Sequence, residues 1–190
     1  HIAVIFDTKE KTFRSDIYPL YKANRDAPPE DLIPQFPLIH KAVEAFNIKC
    51  ISQIGYEADD LIATYSKIAT KRKIKTIIIS GDKDLMQLIN NNVRMYDPMP
   101  GKERFIDING VQDKFGVAPD KVVDVQALAG DSTDNIPGVP GIGVKIASEL
   151  INEYHTLEGL LSNAKEIKQN KRRENLLKYA EDARISYQLA

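Results

Sequence analysis

The sequence predicts an α/β fold, in which a parallel sheet is flanked by helices, followed by an all-helical subdomain. Over residues 1 to about 97, short β-branched runs alternate with helical patterns, and this alternation indicates βαβ units and a parallel sheet. From about residue 108 onward, the pattern is helical and is interrupted by Gly and Pro. We therefore assign an α/β domain to residues 1–107 and a helical subdomain to residues 108–190.

Length and composition agree with a globular protein. The chain of 190 residues is 43% hydrophobic, which suffices for a sizeable core, and its net charge is −1. Its longest apolar runs are far shorter than the roughly 18 residues that a membrane span needs, so we expect a soluble protein. The single cysteine, Cys50, excludes an internal disulfide and fits a reducing cytosol. Because the chain starts inside a predicted strand and not at a Met, we expect a fragment.

The elements of the first domain follow one another in a regular order. The predicted strands are "IAVIF", "IKCIS", "KTIIIS" and "VRMY". The predicted helices are "PQFPLIHKAVEAF", the pattern that begins at Ala58, and "DLMQLI". Residues 9–34 form a long polar connection between the first strand and the first of these helices. Connections of this length are usually functional or disordered.

Acidic residues stand at the ends of three predicted strands. They are Asp7, Glu57, Asp59, Asp60, Asp82 and Asp84. Ligands of open parallel sheets bind beyond the carboxyl ends of the strands, so we expect these side chains to meet at one edge. The acids that open the helix at Ala58 also have a simpler interpretation, because negative charge in a first turn complements the helix dipole.

The helical subdomain adds Asp131 and Asp134, in "GDSTDN". Taken alone, this motif is typical of a turn. With the other acids it makes up to eight carboxylates, and so many like charges require a compensating cation. Oxygen ligands select Mg²⁺ or Mn²⁺, and the absence of a Cys/His cluster argues against zinc. An excess of ligands over the needs of one ion suggests a pair of ions, which indicates phosphoryl transfer.

A Gly-rich loop precedes a predicted helix in "GVPGIGVKIASEL", residues 138–150. Gly141 and Gly143 would expose backbone N–H groups at the helix start, with Gly138 and Lys145 as further DNA-binding residues beside them. Such a helix N-terminus binds phosphate without reading bases. A plain turn between two helices is the simpler interpretation.

Three motifs, "GYEADD", "SGDKDLMQL" and "GDSTDNIPGVPGIGVKIA", occur in this order along the chain. With these motifs the sequence resembles, over essentially its whole length, the 5′ to 3′ exonuclease domain of bacterial DNA polymerase I, which is related to flap endonucleases. The resemblance implies a PIN-like sheet and a C-terminal helix-three-turn-helix subdomain of the helix-hairpin-helix type. It also implies a metal-dependent nuclease that acts on DNA with a 5′ flap, a nick or a branched junction.

The resemblance implies two Mg²⁺ ions, or Mn²⁺ in their place, held by eight carboxylates in two groups. Around the first ion it places Asp7, Glu57, Asp59 and Asp60, and around the second Asp82, Asp84, Asp131 and Asp134. In some members of the family a K⁺ ion also binds at the hairpin loop, which corresponds here to residues 138–150.

Residues 9–34 correspond to the helical arch of the family. The single-stranded 5′ end of the DNA passes through or under this arch. In that pattern Lys22 and Arg25 face the scissile phosphate, and Arg14 and Tyr21 support them in binding DNA. A second group of basic residues lies between positions 165 and 178. For this group, DNA binding and a merely solvated helix face both stay open.

Family members begin with a further strand that ends in a metal-binding Asp, ahead of the strand that starts here at Ile2. We therefore expect weak or no cleavage by this chain, and we expect the polymerase domain in the parent protein. Two further hypotheses follow: a catalytically impaired module that only binds branched DNA, and a PIN-like ribonuclease, against which the Gly-Pro hairpin argues. The resemblance places the protein in the bacterial cytosol, at the nucleoid.

Overall fold

The computed structural model describes residues 1–101 and 103–190, and within these ranges the chain forms five strands and nine α-helices. The strands are β1 (Ala3–Ile5), β2 (Lys49–Ile51), β3 (Thr76–Ile79), β4 (Val93–Asp97) and β5 (Arg104–Ile106). The helices are α1 (Phe13–Ile17), α2 (Gln35–Ala45), α3 (Ala58–Lys71), α4 (Ile108–Phe115), α5 (Val122–Ala129), α6 (Val144–Tyr154), α7 (Leu157–Ser162), α8 (Asn170–Lys178) and α9 (Ala180–Leu189). Short 3₁₀ helices occupy Lys83–Leu88, Pro119–Lys121 and Ala164–Glu166.

The strands form two separate sheets. β1 pairs with β2 in parallel, and β3 pairs with β4 in parallel. The sequence pattern does not predict β5, which pairs with β4 in the antiparallel direction. β5 has only three residues, and a cross-strand aromatic pair accounts for its position: Phe105 lies opposite Tyr96, with 5.0 Å between the ring centroids.

The hydrophobic core lies between the second sheet and the helices that follow it. Met95 of β4, Val111 of α4, Val125 and Leu128 of α5, and Leu160 of α7 are fully buried in one cluster. In contrast, α2 contributes no buried residue. The core thus fixes the elements that carry the later acidic motifs. None of the helices in the described ranges has the length and apolar character that crossing a membrane requires.

The connection at 9–34 is less helical than the predicted arch. α1 ends at Ile17 because Pro19 follows: Tyr18, the residue before the proline, has an extended backbone with φ −140° and ψ 99°. Residues 19–24 then continue as turns. These turns bring Lys22 to the acidic residues described next.

Candidate functional site

Acidic residues meet beyond the carboxyl ends of the strands. Asp7 follows β1, and its Oδ1 accepts a hydrogen bond from the N–H of Ala58 at the start of α3, at 2.7 Å. Asp82 follows β3, and its Oδ1 accepts a hydrogen bond from the N–H of Asp84 at 2.9 Å, which caps the 3₁₀ helix Lys83–Leu88. Asp7 and Asp82 are also near each other, because the charges of both act on Asp59 in α3.

Glu57 and Asp60 lie at the start of α3, where they also serve the helix. The Glu57 N–H donates to Asp60 Oδ2 at 2.9 Å. Beyond this cap, Asp60 accepts two hydrogen bonds from Arg14, at 2.9 and 3.0 Å. Glu57 Oε2 accepts hydrogen bonds from the Tyr21 hydroxyl at 3.0 Å and from Lys22 Nζ at 2.9 Å. Helix capping and membership of the site are thus compatible for these carboxylates.

The carboxylate of Asp59 has negative neighbours. Burial, followed by the charges of Asp82 and Asp7, raises the pKa of Asp59 to about 6. Burial also raises the pKa of Asp84, where the opposing charge of Lys83 does not cancel it. Carboxylates with such neighbours favour a cation between them.

Lys83 is a functional-site residue that sequence reasoning missed. Its Nζ donates to Asp131 Oδ2 at 2.5 Å and to Asp84 Oδ1 at 3.2 Å. Burial would raise the pKa of Asp131, but hydrogen bonds from Lys83 and the Thr133 N–H outweigh it and lower that pKa. The signal in the sequence is a lysine between two acids in "DKD".

The turns that carry Lys22 are hydrogen-bonded to the loop that carries Asp134. The Lys22 N–H donates to the Asp134 carbonyl oxygen at 2.9 Å, and Lys22 has a left-handed backbone with φ 55°. Arg25 Nη2 donates to Asp134 Oδ1 at 2.5 Å. The Asn24 amide donates to the Ser132 carbonyl oxygen at 2.7 Å. The two predicted catalytic cations therefore lie beside predicted metal ligands.

Arg14 and Tyr21, two of the predicted DNA-binding residues, lie below the surface. Their exposed fractions are 8% and 9%. Besides its two bonds to Asp60, Arg14 donates through Nε to the carbonyl oxygen of Leu189 at 2.8 Å. Burial, and then the charge of Glu57, raises the pKa of Tyr21. The donors of both side chains are used within the protein, so they hold the site together.

Gly138, another of the predicted DNA-binding residues, lies inside the protein. It is buried, and its N–H donates to Ser186 Oγ at 2.9 Å. A Cβ atom at this position would lie 2.4 Å from the backbone nitrogen of Gly130. Gly141 and Gly143 are exposed, as is Lys145, and Gly143 caps α6. The loop thus keeps three of its four predicted DNA-binding residues at its surface.

We expect Gly138→Ala to lower the free energy of unfolding by about 2 kcal/mol, because the methyl group meets backbone atoms and φ is +58°. Gly143→Ala is the matched control, since nothing lies within 4 Å of its added Cβ. Urea denaturation of both variants measures the difference. Equal stability losses would contradict the close approach of Gly138 and Gly130.

The acids surround a cavity of about 200 Å³. Side chains that line it include Glu57, Asp59, Asp60, Asp84, Gln126 and Asp134. Their carboxylate oxygens are the ligands that Mg²⁺ and Mn²⁺ prefer, so the residues fit a hard divalent cation. As the side chains stand in residues 1–101 and 103–190, no three acidic, His or Cys groups converge closely enough to hold an ion. Their charges are instead balanced by Arg14, Lys22, Arg25 and Lys83.

Two family models together match the whole chain. The model described as "5'-3' exonuclease, N-terminal resolvase-like domain" matches residues 1–116. The model described as "5'-3' exonuclease, C-terminal SAM fold" matches residues 117–190. Both descriptions agree with the predicted resemblance.

Similar proteins and structures point the same way. DNA polymerase I of Rhizobium leguminosarum is 55% identical over 189 residues, which are 100% of this chain and 18% of the relative. DNA polymerase I of Borreliella burgdorferi is 43% identical over 100% of this chain and 21% of its own length. The chain thus spans about a fifth of the length of these curated relatives. A structure of T5 5′-exonuclease with bound divalent metal ions (zinc) has a TM-score of 0.86 and 25% identity, and the match covers 97% of this chain and 72% of that one. The predicted fold class is confirmed.

Proposed function

Because the chain belongs to the 5′–3′ exonuclease family, we propose that its acidic site is that of a structure-specific 5′ nuclease that hydrolyses DNA phosphodiesters with the help of divalent metal ions. The observation that carries the proposal is the convergence of acids from β1, α3 and β3 with the loop that carries Asp134, beside Lys22 and Arg25. The metal ions bound by the T5 enzyme support the same chemistry. The substrate class is duplex DNA with a 5′ flap, a nick or a branch.

Two ions, Mg²⁺ or Mn²⁺, would be held by the eight carboxylates, in the groups that the family resemblance implies. When bound, the ions polarise the phosphate and stabilise the charge that develops on it. The acids of this chain hold their places through backbone contacts, such as that of Asp7 with Ala58. When DNA binds, Lys22 and Arg25 release their hydrogen bonds to Glu57 and Asp134 and donate to the scissile phosphate instead, because a phosphate accepts the same hydrogen bonds.

The hairpin loop grips the duplex away from the cut. Gly141 and Gly143 present the start of α6, with the exposed Lys145 beside it, to a backbone phosphate. A K⁺ ion bound at this loop would add to the grip. We place the protein in the bacterial cytosol, at the nucleoid. A polymerase domain elsewhere in the parent protein agrees with the name of its relatives, DNA polymerase I.

The test is cleavage of a duplex with a labelled 5′ flap, with and without Mg²⁺, by the parent protein that carries this chain. We expect release of the flap only with the metal. Binding of the flap without cleavage at any metal concentration would instead select the second candidate, a DNA-binding module with a disabled site. Lys83 supports that candidate, because its ammonium group lies between Asp84 and Asp131, where the second ion is expected.

We expect Lys145→Ala to weaken duplex binding equally across sequences and to lower the salt dependence of binding by about one unit, as for one lost phosphate contact. Lys75→Ala is the matched control, because Lys75 directly precedes β3 at its amino end, away from the acids. Fluorescence anisotropy over a range of salt concentrations measures both. A loss that depends strongly on base sequence would contradict the phosphate contact.

A further inference from the structure

Gln126 is a buried polar residue of the cavity that no sequence motif singles out. It lies in α5 and is 7% exposed. Its Nε2 donates to Asp84 Oδ1 at 2.5 Å, across 42 positions of the chain. The same Oδ1 also accepts from Lys83 Nζ at 3.2 Å. One oxygen of the Asp84 carboxylate is therefore held by donors from two different elements.

The other end of the Gln126 amide is unused within the protein. Its Oε1 is buried and has no hydrogen-bond partner in residues 1–101 and 103–190. The side chain lines the cavity together with Glu57 and Asp134. The amide orientation follows from Asp84, because an ionised carboxylate only accepts hydrogen bonds and must therefore face the NH₂ group. A buried carbonyl oxygen without a donor is costly, so Oε1 indicates a donor inside the cavity.

We propose that Gln126 is a positioning residue of the nuclease site. Nε2 holds Asp84 in one orientation towards the metal, and Oε1 accepts a hydrogen bond from a water molecule in the cavity. This inference rests on the proposed function, since it gives Asp84 the role of a metal ligand. Were Lys83 to leave Asp84 so that the carboxylate could bind a metal ion, Gln126 would be the donor that still holds the carboxylate in place. Loss of a residue that orients a metal ligand in this way commonly lowers the affinity of the site for the metal.

The test compares Gln126→Met, which keeps the length of the side chain but removes both hydrogen-bonding groups, with the wild-type chain. We expect the affinity for Mn²⁺, measured by calorimetry without DNA, to fall by about 10- to 100-fold. In flap cleavage by the parent protein, kcat should fall while KM for the DNA is unchanged, because Gln126 contacts Asp84 and lies buried in the cavity wall.

Gln87→Met is the matched control. Gln87 lines the same cavity, but its Nε2 donates to the carbonyl oxygen of Ala190 at 3.2 Å and not to a carboxylate. We expect its Mn²⁺ affinity to equal that of the wild-type chain. Melting curves establish that each variant is folded. If Gln126→Met is unfolded, Gln126→Asn decides, since its shorter amide cannot reach Asp84 and the same loss of affinity is expected.

The outcomes separate this inference from the function on which it rests. If the wild-type chain binds Mn²⁺ and the Gln126 variants bind it equally well, the positioning role is wrong and the nuclease proposal stands. If the wild-type chain does not bind Mn²⁺ and the parent protein does not cleave a flap, both are wrong. A similar loss in Gln87→Met would show a general effect of the cavity wall, and would also overturn the specific role of Gln126.

Discussion

Arg14→Ala should lower the free energy of unfolding by about 3 kcal/mol. The guanidinium makes two hydrogen bonds to Asp60 and a third to the carbonyl oxygen of Leu189, and Arg14 is 8% exposed. Removing it leaves a largely buried carboxylate and a buried carbonyl oxygen without their donors, and broken pairs of this kind are strongly destabilising. Urea denaturation followed by circular dichroism measures the loss.

Two other variants, with smaller expected losses of stability, serve as comparisons. Arg25→Ala removes a partner of Asp134 that is half exposed, so we expect a loss below about 1 kcal/mol. Arg14→Lys keeps the charge but not the planar fork that contacts both oxygens of Asp60, and should fall between the two. If Arg14→Ala were as stable as Arg25→Ala, Arg14 would not tie α1, α3 and α9 together.

The position of the acidic site could be predicted from the sequence, because it depends on short-range patterns. Asp7 and Asp82 each follow a β-branched run that forms a parallel strand, and both carboxylates lie near enough to Asp59 for their charges to raise its pKa. The acids of α3 directly follow β2 in the chain, so their place depends on the carboxyl end of that strand. Each of these inferences needs only the order of the elements.

Contacts between distant parts of the chain could not be predicted in this way. Arg14 looks like an exposed cation of a polar connection, but its partner Leu189 is 175 positions away. Gln126 looks like one polar residue of an apolar helix, and its role depends on Asp84 in another element. Among repeated glycines, the sequence likewise does not reveal that Gly138 is the one that approaches Gly130.

Some elements of the fold could likewise be predicted from the sequence, and others could not. The strands β1 to β4 occur where the β-branched runs predict them. The helical pattern after Phe13 stops at Ile17, because Pro19 constrains the residue before it. The pairing of β5 depends on contact between Phe105 and Tyr96. A run of only three residues does not predict such a pairing.

In the parent protein, Asp82→Asn should reduce Mg²⁺-dependent flap cleavage by roughly 100-fold or more while leaving the stability nearly unchanged. A metal ion contributes several kcal/mol to the transition state, and each 1.4 kcal/mol corresponds to a tenfold change in rate. Folding should be spared because an Asn oxygen can still accept the hydrogen bond from the Asp84 N–H. The lost charge also removes a negative neighbour of Asp59.

Asp107→Asn is the matched control for this change. Asp107 caps α4 through hydrogen bonds from the N–H groups of Asn109 and Gly110, at 3.0 and 3.1 Å, and it lies outside the acidic cavity. Both variants therefore make the same chemical change at a helix cap, and only one makes it in the site. Cleavage rates and urea midpoints, measured side by side, separate the two roles of a carboxylate. Normal cleavage by Asp82→Asn would mean that Asp82 serves its 3₁₀ helix alone, and that the remaining acids hold the metal without it.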